Sequence, residues 1–156
     1  MIKNNITRLL DSRKIPYTSF ELPVEKLGAE KTAQLLGVPL EQVFKTIVVR
    51  REGDRKPILA VVPGTHEVDL KALAKAVLEK KVSLPTERQA EQLTGLQAGG
   101  ISPLALIHKG FQVIVDSSLE TFTEIHISGG QLGLNIRLPS AALIKLTNAR
   151  SAKITR

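Results

Sequence analysis

Two apolar runs separated by a short polar stretch constrain this chain more than any other feature. Lys45 to Arg51 is the most strand-like segment, Glu52-Gly53-Asp54-Arg55-Lys56 is rich in turn formers, and Ile58 to Val62 is a second strand-sized run. Together they predict a β-hairpin. Tyr17 to Leu22, Lys81 to Leu84, Phe111 to Val115, Glu124 to Ser128 and Leu134 to Leu138 read as further strands, with Ala152 to Thr155 as a final edge strand. Helical signals fall between them at Ile2 to Arg13, Glu30 to Leu36 closed by Gly37, Leu70 to Lys80 capped by Asp69, Thr86 to Leu93 and Ser140 to Leu146. Such irregular alternation disfavours a doubly wound parallel sheet. It predicts a single α+β domain over residues 1–156, with a mixed, mostly antiparallel, barrel-like sheet flanked by helices.

Bulk properties narrow the function classes. The 156 residues suffice for one domain with a sizeable core, and aromatics at 3% leave that core to Val, Leu, Ile and Ala. With no cysteine there is neither a disulfide framework nor a thiolate site, which suits a reducing cytoplasm. Met1 to Lys14 lacks the uninterrupted apolar run of a secretion signal, and no run approaches the roughly 18 apolar residues of a membrane span. The expectation is a soluble protein. The net charge of +7 is uneven, since no acid follows Glu124 while Arg137, Lys145, Arg150, Lys153 and Arg156 do. A polyanion such as nucleic acid is the first partner to consider, with a merely solubilising basic surface as the alternative.

Few residues offer chemistry. Alternation along the first hairpin strand puts Lys45, Ile47, Val49 and Arg51 on one face and Phe44, Thr46, Val48 and Arg50 on the other. Lys45 is either a fixed cation at the mouth of an apolar pocket or a strand-start lysine snorkelling to water. Gly99-Gly100-Ile101-Ser102-Pro103 is either a plain turn or a loop that offers its amides to a ligand. Ser128-Gly129-Gly130 with Gly133 reads as a hairpin turn that leaves the Ser128 hydroxyl free to point into a neighbouring site. The histidines His66, His108 and His126 lack metal-ligand spacing and read as surface or turn residues, so neither metal nor cofactor is expected. No strained Gly-x-Ser-x-Gly elbow and no convincing acidic pair is present.

Phe44-Lys45-Thr46-Ile47-Val48-Val49, Val68-Asp69-Leu70-Lys71, Leu93-Thr94-Gly95, Gly99-Gly100-Ile101-Ser102-Pro103-Leu104 and Ile127-Ser128-Gly129-Gly130 with Gly133-Leu134 occur in one order and spacing. In this the chain resembles the YbaK/EbsC-type aminoacyl-tRNA deacylases, free-standing relatives of the editing domain inserted in bacterial prolyl-tRNA synthetases. The resemblance covers nearly the whole chain. It implies hydrolysis of the ester between a wrong amino acid and tRNA, foremost Cys-tRNA(Pro) and also Cys-tRNA(Cys). It implies aminoacylated tRNA as partner, prolyl-tRNA synthetase as a candidate second partner, a cytoplasmic setting, and a monomer or a dimer. Lys45 and Gly100 are the implied catalytic residues, with Phe20, Thr46, Gly99, Ile101, Ser102, Pro103, Ser128, Gly129 and Asn135 around the substrate. The chain departs from the family pattern at Asn135, where YbaK itself has an acid, at Gln131-Leu132 in place of a basic pair, at Leu106-Ile107-His108-Lys109 in place of a lysine-richer stretch, and at Leu27, near an aromatic position.

An aminoacyl ester is already activated, so polarising its carbonyl and positioning the attacker suffice without an enzyme nucleophile. Main-chain amides around Gly100 and Ile101 are expected to orient the carbonyl, and Lys45 to hold the phosphate or ribose of the terminal adenosine. The attacker is water or the thiol of a cysteinyl substrate. A deacylase for alanine or another small amino acid, and a non-catalytic tRNA- or synthetase-binding module of the same fold, are the competing expectations.

Overall fold

One strand is buried along its entire length: every residue from Ile58 to Pro63 is buried, and Ile58 to Val62 have no exposure at all. The computed structural model, which describes residues 1–156, builds the fold around it. In chain order the elements are α1 (Asn5–Ser12), β1 (Thr18–Glu21), α2 (Gly28–Leu36), β2 (Phe44–Arg51), β3 (Ile58–Pro63), α3 (Leu70–Ala76), β4 (Val82–Ser83) and α4 (Glu87–Thr94). They continue with β5 (Gln112–Asp116), β6 (Glu124–Ser128), β7 (Leu134–Pro139), α5 (Ser140–Thr147) and β8 (Arg150–Ala152). Single 3₁₀ turns occur at Leu40–Gln42, Pro103–Ala105 and Ser117–Thr121.

The predicted hairpin forms, with β2 antiparallel to β3 from Phe44 opposite Pro63 to Val49 opposite Ile58. Beyond it β3 pairs in parallel with β5, and β5 in parallel with β8, giving a five-stranded sheet ordered β4-β2-β3-β5-β8. A second sheet, ordered β1-β7-β6, is wholly antiparallel. The α+β class and the mostly antiparallel pairing are as expected, but the sheets do not close into a barrel. One isolated bridge, Val43 with His126, joins them, and past it β2 and β6 part company.

Alternation in β2 distributes side chains as the sequence predicts. Phe44 and Val48 join Leu59, Val61, Val113 and Val115 facing Ile125, Ile127, Ile136 and Leu138 of the other sheet, sealed by Ile6 and Leu10 of α1 and Leu143 of α5. Val49 instead joins Ile58, Ala60, Val62 and Ile114 beneath Leu73, Ala74 and Val77 of the α3 region. Three elements depart most from expectation. α1 begins at Asn5 instead of Ile2, because the Asn4 side chain caps it there by accepting from the Thr7 N–H. α3 ends at Ala76 instead of Lys80, because Leu78 takes a left-handed φ of 58° and Glu79 turns in to pair with Arg55 and Arg51. The last strand is Arg150–Ala152 instead of Ala152–Thr155, because Ile154 and Thr155 are drawn inward by Asp116.

That buried carboxylate anchors the C-terminal segment. Asp116 Oδ1 accepts from the Ile154 N–H at 3.0 Å and the Thr155 hydroxyl at 3.2 Å, and Oδ2 from the N–H and hydroxyl of Ser118. Burial alone would push its pKa up, but these donors outweigh burial and hold it below the ordinary carboxylate range. A depressed folded-state pKa stabilises the protein at neutral pH and ceases to do so as pH falls through it. Asp116→Asn is therefore expected to lower stability by about 2 kcal/mol near neutrality. The deficit should shrink below about pH 4, where the unfolded-state aspartate protonates. Urea midpoints of both proteins at neutral and acidic pH check this, and a gap of the same size at both sinks the assignment.

Candidate active site

The divergence of β2 from β6 opens a cleft of about 410 Å³. Its position follows from main-chain alternation. The Val43 carbonyl accepts from the Gly64 N–H at 2.8 Å, and Pro63, which has no N–H, sits opposite Phe44. In an antiparallel ladder the next hydrogen-bonded pair is then Lys45 with Val62, so Thr46 and Val48 turn their peptide groups away from β3. β4 covers that edge only at Arg50 and Arg51. The peptide groups of Thr46 and Val48 thus open towards the cleft, whose other walls are Leu27 to Thr32, Leu84 to Ala90, the Ala98 to Ile101 loop and the turn of the β6–β7 hairpin.

Lys45, Thr46, Gly99, Ile101, Ser128 and Asn135 all line this cleft, though they come from four separate segments. The Lys45 side chain is 29% exposed and its Nζ lies 3.3 Å from Glu67 Oε1, on a carboxylate that is itself 72% exposed. Thr46 Oγ1 is buried without a hydrogen-bond partner. Ser128 Oγ accepts from the Gly130 N–H at 3.2 Å. Neither Gly99 nor Ile101 uses its N–H in any hydrogen bond within the protein, so both remain available as donors. Across the mouth, Lys26 pairs with Glu87, tying the segment before α2 to the first turn of α4.

The remaining predicted residues lie behind the walls. Gly100 spends its N–H on the Gln97 carbonyl at 2.8 Å and packs against the Gln131 backbone, where a Cβ would sit 2.9 Å from Gln131 Cα. It therefore seats the loop on the hairpin instead of facing the cleft. Ser102 is fully buried and caps the 3₁₀ turn by accepting from the Leu104 N–H, and Pro103 faces a different cavity, towards Leu146 to Arg150. Gly129 is tucked against Leu134, its N–H held by the Leu134 carbonyl. Phe20, on β1, lies against the His126 ring at 5.5 Å and under Arg137, outside the lining.

Two participants escaped the sequence. His126, expected at the surface, is 1% exposed, with Nδ1 2.9 Å from Asn135 Oδ1. Burial pushes its pKa down, the hydrogen bond to Asn135 opposes this, and the Arg137 charge reinforces it. Its place between Ile125 and Ile127 in an apolar strand was the available signal. Glu67 had none, because its contact with Lys45 is made by a turn 22 residues away.

The cleft brings together one cation, Lys45, two carboxylates, Glu25 and Glu87, several neutral polar side chains and free main-chain donors. Residues 25–146 match the family model described as an aminoacyl-tRNA editing domain, and the chain belongs to that family. It is 36% identical over 156 residues to EbsC of Enterococcus faecalis, covering 98% of this chain and 93% of the relative, which is named for Cys-tRNA(Pro)/Cys-tRNA(Cys) deacylation. It is 28% identical over 120 residues, 75% of this chain and 71% of the other, to the multifunctional Ser/Thr-tRNA deacylase ProXp-y of Escherichia coli. A crystal structure described as a trans-editing enzyme for prolyl-tRNA synthetase superposes with a TM-score of 0.80 at 23% identity, covering 100% of this chain and 99% of its own, and shares the fold.

Gly100→Ala tests the placement of the loop. The added methyl meets backbone, which cannot swing aside, so the substitution is expected to cost about 1–3 kcal/mol of stability. Denaturant titration measures it, and an unchanged midpoint would show that the loop and hairpin are not in contact.

Proposed function

We propose that residues 1–156 act as one editing domain that hydrolyses the ester of mischarged tRNA, with Cys-tRNA(Pro) foremost and Cys-tRNA(Cys) second. The observation that carries this is the arrangement of the cleft: Lys45 at its rim, and unpartnered N–H groups of Gly99 and Ile101 beside the neutral side chains of Thr46, Ser128 and Asn135. The name borne by EbsC supports the choice of amino acid.

In this reading Lys45 exchanges Glu67 for a phosphate of the terminal adenosine. A monovalent, largely exposed partner is easily displaced by a polyanion, and the net charge of +7 favours the encounter. The aminoacyl group then enters between β2 and the hairpin, and its carbonyl oxygen takes hydrogen bonds from Gly99 and Ile101. Gly100, whose N–H is already engaged, contributes by holding those two in place. Donors fixed before substrate arrives stabilise the oxyanion that develops as the attacker adds. Water, or the thiol of a cysteinyl substrate, adds to the carbonyl carbon. The bond from that carbon to the ribose oxygen then breaks, and the oxygen takes up a proton as the tRNA leaves. The protein works in the cytoplasm, where charged tRNA is found, and prolyl-tRNA synthetase is the candidate that hands it over.

Lys45→Ala is expected to reduce deacylation at least about 100-fold while leaving the fold intact by circular dichroism. The assay is a panel of Cys-, Ala-, Ser-, Thr- and Pro-charged tRNA. Fastest turnover of the cysteinyl ester supports the assignment, turnover of another ester first reassigns the substrate, and full activity in the variant removes Lys45 from the mechanism.

A further inference from the structure

The face of the β1-β7-β6 sheet turned away from the central core holds a buried polar pair of which only one member reaches the cleft. Ile125, Ile127, Ile136 and Leu138 point into the core between the sheets, so the intervening His126 and Asn135 point the other way. They sit opposite neighbours on adjoining strands, Ser128 being paired with Asn135 and His126 with Arg137. Both are buried, at 1% and 5% exposure, yet Asn135 reaches the cleft and His126 does not.

His126 Nδ1 lies 2.9 Å from Asn135 Oδ1. An amide oxygen can only accept, so with Asn135 in this orientation Nδ1 carries the proton. Burial disfavours the charged ring, which leaves Nε2 as its lone pair, and Nε2 is buried with no partner. A fold rarely leaves such an acceptor empty, and an apolar side chain of similar shape would carry no such penalty. The imidazole is explained by what its other nitrogen does. The ring cannot easily turn over, because Phe20 lies against it at 5.5 Å and Arg137 closes over Phe20. Arg137 in turn donates to the Thr18 hydroxyl at 3.1 Å, while its Nε, which has no hydrogen-bond partner, lies 3.9 Å from Glu124 Oε2. Asn135 Nδ2, by contrast, has no hydrogen bond within the protein.

We propose that His126 is a positioning residue for Asn135: by engaging Oδ1 it turns the Nδ2 amino group towards the cleft, where it donates to an oxygen of the bound aminoacyl ester. The inference rests on the ester-binding reading above. The two ends of a carboxamide have nearly the same shape and opposite hydrogen-bonding character. Left free, Asn135 would offer the substrate an acceptor as readily as a donor. The Nδ1–H group selects the donor, and Phe20 acts at one remove by holding the imidazole.

Two measurements separate this inference from the reading beneath it. Imidazole ¹⁵N shifts of the full chain near neutral pH are expected to show His126 protonated at Nδ1 and bare at Nε2; the opposite tautomer overturns the proposal. On the ester that the unmodified protein hydrolyses fastest, His126→Phe and Asn135→Ala are each expected to lower kcat/KM about tenfold. The double variant should lose no more than either, because both substitutions remove one hydrogen-bonded unit. His126→Gln, whose amide can still donate to Oδ1, should recover part of the loss. Multiplicative losses, or full activity in His126→Phe, would mean that the imidazole does not act through Asn135. If the unmodified protein hydrolyses none of the esters, the deacylase reading falls, and the nitrogen shifts still decide the tautomer.

Discussion

The burial of β3 on both faces is the constraint from which the rest of the architecture follows. Leu59 and Val61 face one apolar cluster, Ile58, Ala60 and Val62 the other, and a strand with no solvated side must be flanked on both edges. β2 and β5 take those edges, one antiparallel through a tight hairpin and one parallel through a long crossover. Each fully buried Val, Leu or Ile adds on the order of 1.5–3 kcal/mol, so no other strand contributes as much per residue. The cleft is then a consequence of a rigid centre, since β2 cannot bend away from β3 to follow β6 and the gap between them stays open.

The site inherits its character from that gap. A strand edge left unpaired presents peptide groups that other folds would cover, and here they border a cleft walled by apolar and polar side chains with Glu25 and Glu87 among them. The glycine loop reaches the cleft because it is clamped from behind: Gly100 fits against the Gln131 backbone, and Gly99, at φ 90°, lies under Leu132. Its flanking N–H groups are fixed donors for that reason. Lys45 brings the only lysine or arginine in the lining, and its Nζ is paired with Glu67 at 3.3 Å.

Local patterns made much of this legible. The hairpin, the alternation of Phe44 to Val49 and the capping of the α3 region by Asp69 depend on neighbours within a few residues, and all appear where the pattern put them. Lys45, Thr46, Ser128 and Asn135 were recognisable because motif spacing preserves contacts that no periodicity encodes. What escaped was whatever depended on a distant partner. Asp116 redirects Ile154 and Thr155 from 38 and 39 residues away, Arg51 and Arg55 draw Glu79 out of a helical register, and Ser102 and Pro103, though inside the right motif, turn their side chains into the wall.

By itself the sequence determined the α+β class, the β2–β3 hairpin, the faces of β2 and the family to which the chain belongs, since each is written in residue type and short-range spacing. Only the tertiary structure decided that the two sheets stay open past the Val43–His126 bridge, that Gly100 is a seat instead of a wall, and that His126 is buried behind Asn135. The physical reason is common to all three. Hydrogen-bond partners and packing neighbours at long range are chosen by the assembled core, and a side chain's chemistry is set by which of them it meets there.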